Sequence, residues 1–155
     1  MSLKYQEIRD PLYGFIHVNP WELDIINSPA FQRLRRIRQL GLTDMVYPSA
    51  NHTRFEHSLG VMHLATQFYD KIIEKNHGLL EENGYTTTGL NIDRQLVRLA
   101  ALLHDIGHGP FSHGSEDLFP IKSGKKHYRH EDYSSVIIRD MLGETIENHE
   151  INKQN

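Results

Sequence analysis

Leu102-Leu103-His104-Asp105-Ile106-Gly107-His108-Gly109-Pro110-Phe111-Ser112-His113 is the stretch that decides how the rest of the chain reads. The apolar run Leu96 to Leu103 has helical pattern and ends on two adjacent metal-competent side chains. It then breaks at once into glycines and a proline. Neutral imidazole and carboxylate both bind divalent metals. Successive helical side chains diverge by about 100°, so His104 and Asp105 cannot both face a core, yet both reach one ion lodged beside a helix end. A helix C-terminus with a favourable histidine and a glycine turn accounts for His104 and Gly107. It does not account for Asp105 at the negative helix end, nor for His108 and His113. The stretch reads as a site.

The composition narrows the setting. At 155 residues the chain is one domain by length, able to bury roughly 70 % of its unfolded surface. A net charge of −3 argues against a general nucleic-acid or membrane-surface binder. No cysteine is present, which suits a reducing cytoplasm. The first residues carry no apolar signal-peptide core, and no later run approaches membrane-spanning length. Eleven histidines is the unusual number, and it points toward metal or phosphate chemistry.

In chain order, Asp10 to Gly14 reads as a turn and Phe15 to Val18 as a short extended piece. Asn19-Pro20 starts a helix, and Ser28-Pro29 starts a second, Ala30 to Leu40, stopped by Gly41. Phe31, Leu34 and Ile37 form its apolar stripe. Arg33, Arg35, Arg36 and Arg38 line its other sides, either as a solvated face or as anion binders. Thr43 to Thr53 is loop or short strand. Arg54 through His77 is helical and ends at Gly78, with His57, Val61, Leu64 and Phe68 on one stripe expected to face the core. His63 and His77 are structural or exposed. Leu79 to Gly89 is a connecting loop, and Asn91 caps the helix that delivers His104 and Asp105. Phe119 to Lys126, with Lys122, Lys125 and Lys126, is irregular. A last helix starts near Tyr128, carries His130, Tyr133, Ile137 and Met141 on one stripe and stops at Gly143; Glu144 to Asn155 is polar and frayed. His130 thus stands at a positive helix end, where a phosphate is favoured. Strands are few, and the fold class is all-α.

The string His-Asp-Ile-Gly-His-Gly-Pro-Phe-Ser-His, preceded by Thr-Arg-Phe-Glu-His-Ser-Leu-Gly-Val around His57, resembles the HD-domain metal phosphohydrolases. Within them it is similar to the deoxynucleoside triphosphate triphosphohydrolases, from about Asp10 to about Ser135. The resemblance implies an HD-domain helical bundle with at most a short N-terminal β-hairpin. It also implies a single HD domain over residues 1–155 that is the N-terminal part of a longer enzyme. The implied reaction hydrolyses a deoxynucleoside triphosphate to deoxynucleoside and inorganic triphosphate, by attack at the α-phosphorus. The implied cofactor is a divalent transition metal (manganese, iron, cobalt, nickel or zinc), with magnesium able to accompany the substrate phosphates. The implied partners are the deoxynucleotide and further copies of the chain in a homo-oligomer, with neither membrane nor nucleic acid as main partner.

Motif for motif, the resemblance places His57, His104 and Asp105 at the metal. Arg54, His108 and His113 take phosphate contacts. His130 resembles the catalytic histidine that protonates the departing 5′ oxygen, with His113 beside it. Glu116 stands where the family has a catalytic aspartate. Gln39 and Leu40 match the residues that touch the deoxyribose and exclude a 2′-hydroxyl. Asn27, Gln32 and Arg35 fall on the family's regulatory nucleotide segment, with Asn27 replacing an acidic guanine reader. The family's metal shell is completed by an aspartate well beyond the His130 equivalent, outside these 155 residues, and neither Asp132 nor Asp140 is placed to replace it. The 155-residue chain is therefore expected to bind metal weakly and to turn over little. Two other readings stay open: another HD phosphohydrolase acting on monophosphates or cyclic diesters, and a non-catalytic nucleotide-sensing module.

Overall fold

The computed structural model describes residues 6–124 and 126–148. The chain opens with an antiparallel hairpin, β1 (Gln6–Asp10) and β2 (Gly14–Val18), in the register Ile8 opposite Ile16. Asp10 Oδ1 accepts from the backbone N–H groups of Leu12 and Tyr13 at 2.8 and 3.0 Å, which closes the turn. Strand alternation sends Ile16 and Val18 into the core.

α1 (Pro20–Asn27) begins with a reciprocal capping box between Asn19 and Glu22 and with proline in its first turn. Ser28 caps the four-residue α2 (Pro29–Gln32). The expected helix through Leu40 stops early: the chain tightens into a 3₁₀ turn at Arg33–Arg36, and Ile37 is extended. Backbone pairing wins there. Ile37 O accepts from Arg54 N at 2.8 Å, Arg38 bridges Thr53, and Gln39 N donates to His52 O at 3.0 Å. Phe31, Leu34 and Ile37 are buried all the same.

After a 3₁₀ turn at Thr43–Met45, α3 (Arg54–Glu82) starts from a second capping box, Thr53 with Glu56. It runs past Gly78 and is kinked at Asn76, which leaves helical geometry (φ −116°, ψ 16°). Its core face is Phe55, Ser58, Leu59, Met62 and Thr66, not the stripe expected from His57. Leu64, Phe68 and Ile72 are exposed. α4 (Thr87–Leu103) is capped by Thr86 rather than Asn91, and Glu82 rather than a loop residue ends the preceding helix. α3 and α4 run antiparallel, tied by Tyr69 Oη to Leu90 O at 2.8 Å and by the fork of Arg94 on Asp70.

Beyond the site turn, a 3₁₀ segment (Ser112–Leu118) leads into a second small hairpin, β3 (Ile121–Ser123) with β4 (Lys126–His127), where an irregular stretch was expected. α5 (His130–Met141) follows, with His130 and Ser134 buried but Met141 exposed. Gly143 starts α6 (Gly143–Glu147) rather than ending the structure. Trp21 Nε1 donates to Thr145 O at 3.2 Å and fastens α6 to α1. Residues 149–155 of the expected frayed end lie outside the described residues.

The core joins Trp21, Ile25, Phe31 and Leu34 to Leu59 and Met62 of α3 and to Leu99, Leu102, Leu103 and Ile106 around the end of α4. Through its middle runs a buried polar post. Arg98 forks onto both oxygens of Glu22 (2.5 and 2.7 Å) and also donates to Thr66 Oγ1 and His17 O, linking β2, α1, α3 and α4. The architecture is all-α with two minor hairpins. Among the described residues no helix is long and apolar enough to cross a membrane.

Candidate active site

Two helix ends meet at the site. The Thr53 capping box fixes where α3 begins, so Arg54 and His57 occupy its first turn. α4 ends at Leu103, and the chain turns with Ile106 N on Leu103 O and His108 N on Asp105 O, both 3.1 Å. His104 and Asp105 are thereby presented to the start of α3. His104 Nε2 lies 3.3 Å and His57 Nε2 3.6 Å from Asp105 Oδ2. The three donor atoms all fall within 4.8 Å of one another. Tetrahedral bonds of about 2.1 Å place ligand atoms about 3.4 Å apart, so this set fits a divalent transition ion. His104 Nδ1 sits 2.8 Å from Ala101 O; an N–H there fixes the tautomer and leaves the Nε2 lone pair facing the trio.

Asp105 is buried and strongly supported. Burial alone would raise its pKa, but His104, Arg54 and His108 outweigh that and hold the carboxyl well below the usual carboxylate range. Burial lowers His57, whereas the hydrogen bond that a protonated His104 gives Asp105 raises His104; a cation at the trio would take the place of that Nε2 proton. Arg54 is 2 % exposed. Its fork is already committed: Nη1 donates to Asp105 Oδ2 at 2.5 Å and Nη2 to Ser112 Oγ at 2.6 Å. Its Nε has no partner among the described residues. The structure thus places Arg54 behind Asp105 rather than loose on a surface.

On the other side of Asp105 stand three more histidines. His108 Nε2 is 3.5 Å from Asp105 Oδ1. Its ring stacks on His130 with centroids 3.7 Å apart and planes 17° from parallel. His113 meets both rings edge-on, at 4.9 and 5.0 Å. Burial first, then Arg54 and His130, push His108 down to about 3, so it is neutral near pH 7. Glu116 Oε1 lies 2.5 Å from His130 Nδ1 and 3.1 Å from His113 Nδ1. Burial would raise Glu116, but these two hydrogen bonds prevail and lower it. The ionised carboxylate is an acceptor only, so His130 Nδ1 carries the proton and Nε2 is left for exchange. Donor atoms of His108, His113 and His130 also lie within 4.8 Å of one another. Parallel stacking directs the in-plane lone pairs of His108 and His130 side by side, which suits phosphate and proton contacts better than shared chelation.

The remaining predicted residues are more scattered. Gln39 and Leu40 lie in the turn that follows Arg38, with Gln39 N donating to His52 O, and a side chain at Gly41 would touch the Phe111 backbone. Gln39 Oε1 is buried without a partner among the described residues, while Leu40 is half exposed. Gln32 and Arg35 do come together, Nε to Oε1 at 2.8 Å, with Arg35 lying 3.5 Å over the Phe55 ring. Asn27 instead lines a recess with Asp24, Ser28, Glu144, Thr145 and Asn148, which Gln32 and Arg35 do not share. Asp132 is held by Arg129 N and Lys122, and Asp140 by Arg139.

Sequence reasoning missed three supports. Arg33 reaches the carbonyls of Ile106 and His108. Ser134 binds the Gly107 N–H, and Ser112 receives Arg54. Phe111 and Ser112 both adopt left-handed φ (67° and 55°), backbone strain beside the site that no local residue type announces.

Known proteins share this arrangement of sequence. A family model described as HD domain matches residues 54–154. A deoxynucleoside triphosphate triphosphohydrolase SAMHD1 homolog from Dictyostelium discoideum is 41 % identical over 130 residues, 82 % of this chain and 23 % of that protein. An uncharacterized protein of Methanocaldococcus jannaschii is 50 % identical over 109 residues, 70 % of this chain and 20 % of its own length. The crystal structure of a hypothetical protein from Aquifex aeolicus superposes with TM-score 0.69 at 39 % identity, covering 97 % of this chain and 36 % of that one. The chain thus spans roughly a fifth to a third of the length of these relatives.

Proposed function

Since the chain belongs to the HD domain family, we propose that it performs metal-dependent hydrolysis of deoxynucleoside triphosphates, releasing deoxynucleoside and inorganic triphosphate. The observation that carries this reading is the convergence of His57, His104 and Asp105 donor atoms within 4.8 Å, flanked by the stacked His108 and His130. The SAMHD1 homologues supply the substrate class.

His57, His104 and Asp105 would hold the cation, with manganese, iron, cobalt, nickel or zinc suited to mixed nitrogen and oxygen donors and magnesium left to the substrate phosphates. The chemistry such an ion supplies when bound is polarisation of a phosphoryl oxygen and activation of a water. Arg54 holds Asp105 ionised and oriented. His108, neutral and buried, offers a hydrogen bond rather than a charge to phosphate, and His113 approaches from the exposed side. His130, its Nδ1–H held by Glu116, would in its doubly protonated form give the Nε2 proton to the departing 5′ oxygen and return to the neutral ring. Gln39 and Leu40 lie beside the start of α3 and are assigned to the deoxyribose. Asn27, Gln32 and Arg35 are assigned to a regulatory nucleotide. The reading carries with it a homo-oligomer in a cytoplasmic setting, with a nucleotide rather than a nucleic acid as partner.

The test is product analysis with each of the four common deoxynucleoside triphosphates across these metals. Inorganic triphosphate with free deoxynucleoside supports the assignment. Pyrophosphate or orthophosphate, or turnover of a monophosphate or cyclic diester instead, replaces it with another phosphohydrolase.

A further inference from the structure

Four arginines crowd residues 33–38, and three have ordinary surroundings: Arg35 lies on Phe55, Arg38 pairs with Asp44, and Arg36 is exposed. Arg33 is different. Its guanidinium leaves the 3₁₀ turn after α2 and crosses to the end of α4, where Nη1 donates to His108 O at 2.8 Å and Nη2 to Ile106 O. Among the described residues no carboxylate pairs with it. A guanidinium taken from water without a counter-charge is costly, and burial accordingly lowers its pKa. What compensates is the carbonyl array just past the C-terminal, negative end of α4.

The opposite face of the same turn is held by α5. Ser134 Oγ accepts from Gly107 N at 2.9 Å and donates to His104 O at 3.3 Å. Residues 104–108 are therefore gripped from two sides by their backbone groups, the carbonyls of His104, Ile106 and His108 and the N–H of Gly107. His104, Asp105 and His108 project from that same five-residue turn. Four residues before Ser134 on α5 is His130, stacked on His108.

We infer that Arg33 is a positioning residue for the metal turn: by clamping the Ile106 and His108 carbonyls it sets the geometry in which His104 and Asp105 receive a divalent cation. It touches neither cation nor substrate. Its part in cation binding rests on the metal reading proposed above; its hold on the backbone does not. Groups that orient metal ligands from outside the coordination shell are worth about ten- to a hundredfold in metal affinity.

Arg33→Met and Arg33→Lys test this in the 155-residue chain, with Mn²⁺ affinity, amide hydrogen exchange and thermal unfolding measured together. Arg33→Met should weaken Mn²⁺ binding about ten- to a hundredfold, and Arg33→Lys, able to keep one of the two bonds, should weaken it less. The amides of Ile106, Gly107 and His108 should exchange faster while those of α1 and the middle of α3 keep wild-type protection. Unchanged Mn²⁺ affinity and unchanged exchange at 106–108 would overturn the inference. So would a loss of protection spread evenly over the chain, which marks a merely structural arginine. If Arg33→Met fails to fold, Arg33→Lys decides by the same criteria. Should the wild-type chain show no Mn²⁺ at the trio, the metal reading fails, and the local exchange pattern alone still upholds or overturns the clamp.

Discussion

Gly107→Ala should damage both the fold and the site, for a reason that can be measured on the structure. A Cβ at Gly107 would lie 2.1 Å from His130 O and 2.3 Å from Ser134 N, where ordinary contact begins at 3.4 Å. Both obstacles are backbone atoms, so no rotamer change relieves them, and the first turn of α5 must retreat by about 1 Å. Overpacking of this kind costs about 1–3 kcal/mol, and at this chain length each kcal/mol lowers the melting temperature by about 2–4 °C. Taking the upper part of that range gives a fall of about 4–12 °C. The retreat also lifts His130 from its 3.7 Å stack on His108, and misplacement by about 1 Å costs on the order of a hundredfold in rate. Thermal unfolding by circular dichroism is the assay, with histidine side-chain NMR reporting the stack. A variant with wild-type melting temperature and unshifted His108 and His130 signals would show that α5 does not press on the turn as described.

Three further outcomes are expected. Arg98→Met leaves Glu22 buried without its partner and should cost about 3–5 kcal/mol in urea unfolding, whereas the double variant Glu22→Leu/Arg98→Met should be less destabilised than either single change; equal or additive losses would contradict the post-like role. Arg54→Ala strips Asp105 of its buried counter-charge and should lower stability by about 3–5 kcal/mol, a loss that a free phosphate-gripping arginine would not show. His130→Ala should cut turnover by about 10²–10⁴ with Mn²⁺ affinity kept, and a parallel loss of Mn²⁺ would make it a ligand or a prop of the fold.

What the sequence disclosed follows from where its signals are local. Asn19-Pro20 and Ser28-Pro29 start helices because a side-chain acceptor and a preset φ act within one turn. The HD string was likewise readable, since adjacent residues at a helix end share a neighbourhood, whereas the Arg-Phe-Glu-His string, about fifty residues earlier, joined it through the family resemblance. Errors arose where partners are distant. The stripe Phe31, Leu34, Ile37 is equally consistent with a long helix and with a short one whose chain then pairs with residues 52–54, and only that pairing decides. Val61, Leu64 and Phe68 form a helical stripe, yet α4 packs on the neighbouring face through Met62 and Thr66. Thr86 outcompetes Asn91 as a cap because the helix starts five residues earlier, and Gly143 opens a helix that Trp21 secures. Arg33 was indistinguishable from three neighbouring arginines, because its carbonyl partners lie more than seventy residues away.

Mn²⁺ titration followed by histidine side-chain NMR locates the cation, because paramagnetic broadening reports even a weakly held ion and names the residues beside it. His57 and His104 should broaden first and His108 next. His77, twenty residues along α3 and about 30 Å away by helical rise, should stay sharp, and Asp105→Asn should abolish the effect. Broadening spread evenly over the histidines, or surviving Asp105→Asn, would contradict a metal centre at the meeting of α3 and α4.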